Sequence, residues 1–110
     1  MLTAVYPIIL ELISNRETDE IERLYAKFVL GAYYYFGLGN IKKDYEHAFN
    51  IIKECADHGH LAAIYDMGAN FYYNGNGTER NYELASMYLE IAKEAGLPRA
   101  IKLLEKRQKS

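Results

Sequence analysis

The stretch YFGLGNIKKDYEHA, Tyr35 to Ala48, returns as YNGNGTERNYELA, Tyr73 to Ala85. Each copy carries an aromatic residue, two glycines spaced G-x-G, a short polar run, Asp or Asn, and then Tyr-Glu-x-Ala. A shift of 37 residues extends the match in both directions. Ala26 falls on Ala63, Leu30-Gly31-Ala32 on Met67-Gly68-Ala69, Tyr34 on Phe71, Ala48 on Ala85, Gly59 on Gly96 and Ala63 on Ala100. Small residues and loop punctuation agree while long side chains vary, which is how packing constrains a repeat whose surface is free to differ. The copies also differ by two insertions. The first has one extra residue between Gly39 and Asp44, and the second has one extra before Gly75.

Each copy reads as two helices. Over 19–36, Ile21, Leu24, Tyr25, Phe28 and Ala32 recur at helical steps, with Thr18 as N-cap and acidic residues in the first turn. GLGN ends this helix. A second helix opens at Asp44 as N-cap, carries the stripe Ala48, Phe49, Ile52, Cys55 and Ala56, and stops at Gly59. The pattern recurs as helices over 61–73 and 81–95. A flanking helix over 3–14 accepts Pro7 only in its first turn, and a last one over 98–106 begins with Pro98 at a first-turn position. The expected fold is all-α: a short α-α superhelix of two helix-turn-helix repeats between two capping helices, in a single domain over 1–110. Residues 1–25 hold the N-terminal cap and the start of the first repeat helix, repeat 1 spans 26–62, repeat 2 spans 63–99, and the C-terminal cap runs to about 107. A lone hairpin cannot bury its apolar face, so a second is stacked on it. Gly31 and Gly68 fall mid-helix, where Gly costs about 1 kcal/mol against Ala. Close approach of a neighbouring helix is the expected compensation.

Composition narrows the function. A net charge of -2 and the absence of a basic block before the tail argue against a nucleic-acid binder. No apolar run approaches the ~20 residues of a membrane span. A single cysteine, Cys55, fits a reducing compartment, and the expected location is cytoplasmic. Eleven tyrosines and no tryptophan are the unusual feature, since Tyr suits half-buried faces and binding surfaces alike.

The spacing Ala, Leu-Gly-x-x-Tyr-x-x-Gly-x-Gly, Asp-Tyr-x-x-Ala, Ala-x-x-Gly resembles the Sel-one-like repeat family, a relative of the tetratricopeptide repeats. The residues that carry the resemblance are Ala26, Leu30, Gly31, Tyr34, Gly37, Gly39, Asp44, Tyr45, Ala48, Ala56 and Gly59 in the first copy. In the second they are Ala63, Met67, Gly68, Phe71, Gly75, Gly77, Asn81, Tyr82, Ala85, Ala92 and Gly96. The resemblance implies repeat packing at these positions, an α-solenoid that scaffolds protein interactions, and no family-wide catalytic residues.

The candidate sites follow. Tyr33, Tyr35, Tyr65, Tyr72 and Tyr73, with Asp66 and Asn70, lie on first helices beside the packing positions, and in helical solenoids these helices line the concave face. Aromatic residues on a groove make binding hot spots, so these seven are the expected partner site. Tyr34, Tyr45 and Tyr82 are expected in the core. The expected function is a non-catalytic module that binds another protein, as an adaptor or as an inhibitor of the immunity-protein type. No catalytic residue, cofactor, metal, nucleic acid or membrane is assigned. One alternative is self-association as a homodimer through the very apolar N-terminal helix. Another is a small enzyme or metal protein using Cys55, His58 and His60, in which Gly59 and His60 read first as repeat punctuation. His47 and Cys55 stand eight residues apart on one helix, too far to form a nucleophile and base. The G-x-G runs lack the preceding strand and the Lys-Ser/Thr of a phosphate loop.

Overall fold

A computed structural model describes residues 2–109, so the outermost limits of the domain, Met1 and Ser110, lie outside the described residues. Helices α1 (Leu2–Ser14), α2 (Glu20–Phe36) and α3 (Tyr45–Asp57) are followed by α4 over 61–74. Helix α4 is α-helical over Leu61–Asp66, widens to a π-helical turn over Met67–Phe71, and returns to α over Tyr72–Asn74. Helices α5 (Tyr82–Glu94) and α6 (Pro98–Gln108) complete the chain. There is no strand among the described residues. Successive helices pack on one another along an elongated body of 43 × 28 × 22 Å.

The helix ends are built twice from the same parts. Asp44 accepts from the His47 backbone N–H at 3.0 Å, and Asn81 accepts from the Leu84 N–H at 3.0 Å. Each satisfies one orphan donor of its helix start. At the far ends, the His60 N–H reaches Cys55 O and the Leu97 N–H reaches Ala92 O, both at 3.0 Å. Gly59 and Gly96, at φ of 85° and 88°, make that reversal possible. A Cβ at either would meet no atom within 4 Å, so these two glycines serve the backbone turn and not, as the resemblance implied, the packing between repeats. At α2, Asp19 rather than Thr18 is the capping residue, and its side chain makes no capping hydrogen bond. Pro7 also departs from expectation. With α1 beginning at Leu2 it lies in the second turn, where it cannot bond back to Thr3 O.

Three apolar clusters run down the body. Ile9, Ala26 and Tyr33 join α1 to α2. Ala48, Ile52, Cys55, Ala63, Met67, Phe71 and Ala85 fill the centre. Leu89, Ala92, Ala100 and Leu104 join α5 to α6. The alanines let helices approach, and the large side chains fill the space left, each buried one contributing about 1.5–3 kcal/mol. The mid-helix glycines mark the closest approaches. A Cβ on Gly68 would sit 2.6 Å from the Ala85 carbonyl oxygen and 2.8 Å from Leu89 Cγ, and one on Gly31 would strike the end of the Ile52 side chain. Ile52 and Leu89 are themselves 37 residues apart, so the same helix contact is made in both repeats.

Past Gly68 the register changes. Gly37 and Leu38 donate to Tyr33 O, whereas Gly75 and Asn76 donate to Phe71 O. Asp44 donates to Tyr34 O and Asn81 to Tyr72 O, both at 2.8 Å. The structural counterpart of Phe71 is therefore Tyr33, and that of Tyr34 is Tyr72, one residue off the alignment read from the sequence. The π-helical turn absorbs the extra residue before Gly75: the Tyr72 N–H bonds to Met67 O, five residues back, and bypasses Gly68 O.

Candidate partner-binding groove

The first helices of the two repeats, α2 and α4, stand on either side of a groove floored by Ile52 of α3. Its cavity of about 110 Å³ is lined by Gly31, Ala32, Tyr35 and Phe36 from α2 and by Asp66, Asn70 and Phe71 from α4. Ala32 and Phe36 are one turn apart, as are Asp66 and Asn70, so each helix turns one stripe toward the groove. Tyr35 is fixed by neighbours on three sides. The Asn76 side-chain amide donates to its hydroxyl at 2.8 Å, its ring packs edge-on against Phe71 at 5.4 Å, and Tyr45 lies 4.9 Å away. Burial raises the Tyr35 hydroxyl above its ordinary pKa.

Asp66 is the one carboxylate in this lining. Among the described residues its one hydrogen-bond contact is a long one, 3.5 Å from the Asn70 amide nitrogen. Desolvation pushes its pKa up from 3.8 to about 6, and the positive charge of Arg99 offsets this in part. Arg99 itself lies over the Tyr65 ring, 4.7 Å from the centroid.

The seven residues expected to bind a partner divide. Tyr35, Asp66 and Asn70 meet in the groove. Tyr65 is half-buried beneath Arg99, beside a shallow surface lined by Arg99, Lys102, Leu103 and Lys106. Tyr73 is half-buried and covered by the Arg107 guanidinium, 3.5 Å from its ring centroid. Tyr33 and Tyr72 leave the set. Tyr33 is 2 % exposed and Tyr72 is 9 % exposed. The first is packed between α1 and α2, and the second stacks on Tyr88 at 5.7 Å. Neither offers surface to a partner. Tyr82 moves the other way: expected in the core, it is 54 % exposed, tilted against Tyr73 and capped by Arg80. Tyr34 and Tyr45 are half-buried, Tyr34 stacked on the His47 ring at 4.0 Å. Phe36, exposed at the groove's lip, was missed, although its step of four from Ala32 would have placed it there.

The alternative constellation does not assemble. Cys55 is fully buried with its Sγ 3.7 Å from Leu24 O, and burial raises its thiol to about 11. The exposed His58 ring bonds to Glu54 O, and His60 lies between Tyr25 and Phe28 with its pKa lowered by burial. Among the described residues no three His, Cys, Asp or Glu side chains are grouped to hold a metal ion.

Arg107 ties α6 to the π-helical turn. It donates to Gly68 O at 3.0 Å and to Ala69 O at 2.9 Å. The first of these is the carbonyl that the Tyr72 N–H passes over. A guanidinium fork is suited to two adjacent carbonyls, and here it replaces the helical donor.

The family model described as Sel1 repeat matches the chain twice, over residues 24–60 and 61–97. The chain belongs to the Sel1 repeat family. Sel1 repeats are non-catalytic helical repeats that mediate binding to other proteins, and the solenoid described above is their fold. The two matched Sel1 units are each 37 residues long and begin two residues ahead of the limits read from the sequence. No curated protein and no solved structure matches the chain. No helix of the described residues is long and apolar enough to cross a membrane.

Proposed function

We propose that this Sel1 repeat protein is a non-catalytic binding module whose partner protein docks on the face formed by α2 and α4, as an adaptor or as an inhibitor of the immunity-protein type. The observation that carries this reading is the groove itself. Tyr35, Phe36 and Asn70 surround a cavity that no segment of the described chain fills, with Tyr65 farther along the same helix. Half-exposed aromatic residues around such a cleft supply large contact area at low entropic cost. The test is affinity capture of the tagged protein from its native cells, compared with a Tyr35→Ala, Tyr65→Ala, Asn70→Ala triple variant of unchanged helicity. A stoichiometric partner lost by the variant is the expected result. A partner retained at wild-type level moves the interface off this face.

A second reading, homodimerisation through α1, is favoured by the apolar residues this helix leaves outside. Val5, Ile8 and Leu10 are 39 %, 59 % and 42 % exposed, while Ile9 is buried against α2. Sedimentation showing a monomer at every concentration removes it.

A further inference from the structure

We infer that the groove between α2 and α4 receives a lysine side chain of the partner protein, its ammonium on Asp66 and its alkyl stem along Ala32 and the Tyr35 and Phe36 rings. This rests on the interaction reading above and names the chemistry of what enters. Apart from the Asn70 amide the walls are apolar or aromatic, and the single charge is a carboxylate. Among the described residues no lysine or arginine makes an ion pair with Asp66. Arg99 lies over Tyr65 and acts on Asp66 through its charge without forming an ion pair with it. A carboxylate half-removed from water and without an ion-pair partner is an incomplete ion pair. An incoming cation completes it, and aromatic rings beside it add cation–π attraction. An acidic or phosphorylated segment is repelled by the same carboxylate, and a purely apolar side chain strips its remaining water without replacing it.

Lysine fits better than arginine. Asn70 already addresses Oδ1 of Asp66. An ammonium on the other oxygen leaves that contact untouched, whereas a two-pronged guanidinium must share Oδ1 with Asn70. The cavity, about 110 Å³, is several times the ~10–15 Å³ that one water needs, which suits a slender side-chain end. The site is also single. The residue of repeat 1 that corresponds to Asp66 is Val29, which packs against the α1–α2 cluster. Only the junction between the repeats carries the carboxylate.

The experiment is an NMR titration of the ¹⁵N-labelled full chain with n-butylammonium as the lysine side-chain probe, beside 1-pentanol and n-butylguanidinium. Saturable shifts at the Ala32, Phe36 and Asn70 amides are expected with butylammonium, with both comparison ligands at least about tenfold weaker. The same loss is expected in Asp66→Asn and in Ala32→Leu, which fills the groove, with the amide spectra reporting that both remain folded. Binding also weakens between about pH 7.5 and about pH 5 as Asp66 takes up its proton. Of the other groups facing it, the Tyr35 hydroxyl from α2 is raised by burial and stays protonated over that window, and Arg99 faces it from α6. Equal binding by Asp66→Asn, shifts confined to other residues, or tighter binding of the guanidinium overturns the proposal. A failed titration combined with partner loss in the triple variant overturns the lysine site alone. Partner retention in that variant overturns the interaction reading itself.

Discussion

Asp66→Asn removes a charge from the groove while keeping the side chain's shape, and its effect on stability follows from the pKa. The Asp66 carboxyl titrates near 3.8 in the open chain and near 6 in the fold. The folded protein therefore binds the proton more tightly, and between those two values its stability falls as pH rises. Below about pH 3 the carboxyl is protonated in both states and costs nothing. Above about pH 7 the full penalty is present. A difference of about two units at 1.36 kcal/mol each gives about 3 kcal/mol, or about 2 kcal/mol once the residual solvent access of the side chain is allowed for. Asp66→Asn is thus expected to be more stable than the native chain by about 2 kcal/mol at neutral pH, and equal to it near pH 3. Urea unfolding of both proteins at several pH values measures this, because the difference between them cancels the titration of every other group. A difference that does not change with pH, or a variant less stable at neutral pH, refutes the assignment of Asp66 as a desolvated, unpaired carboxylate.

Three further predictions concern the frame around the groove. Gly68→Ala drives a Cβ into the Ala85 carbonyl and is expected to cost about 1–2 kcal/mol net of the helix-propensity gain, whereas Gly31→Ala meets side chains and no backbone, chiefly the movable end of Ile52 and then Ile51 Cγ2, and should cost at least about 1 kcal/mol less; paired denaturation curves decide. Arg107→Ala removes two charge-assisted hydrogen bonds and a ring contact and should destabilise by about 2 kcal/mol, with faster amide exchange over 67–72, and Arg107→Lys should recover less than half of the loss. Cys55, fully buried and with its thiol raised to about 11, should react with iodoacetamide only as fast as the chain unfolds, which labelling rates across a urea series will show.

The repeats, the helix ends and the small-residue contacts were legible because each is set by local chemistry. Asp44 read as a cap, and Gly31 and Gly68 as close approaches, from residue type and spacing alone. Two things were not. The insertion before Gly75 was visible, but its place was not, because a one-residue insertion can be absorbed in a loop or in a widened helical turn with equal effect on spacing. Its burial inside α4 turned the aromatics beyond it, and the alignment of Tyr34 with Phe71 failed for that reason. The sorting of the tyrosines failed similarly. Tyr33 and Tyr35 are two residues apart, and a rotation of about 100° per residue turns them to nearly opposite faces, one into the α1–α2 core and the other into the groove. That choice depends on where α1 lies, which no local pattern encodes. Within the groove, Asp66 and Asn70 were found by position, but the lack of an ion-pair partner for Asp66 among the described residues is a property of the assembled helices.

The widened turn of α4 bears on how such a protein could be lengthened. The period of 37 residues survives only because two unrelated insertions balance, one in the loop after Gly39 and one inside α4. Copying the second repeat to build a third would carry the wide turn along without the α6 guanidinium that serves its bypassed carbonyl. Copying the first would carry the long loop into a helix of ordinary pitch. The two units thus share a length but are not interchangeable parts, and an array built from either needs its own solution at the next junction.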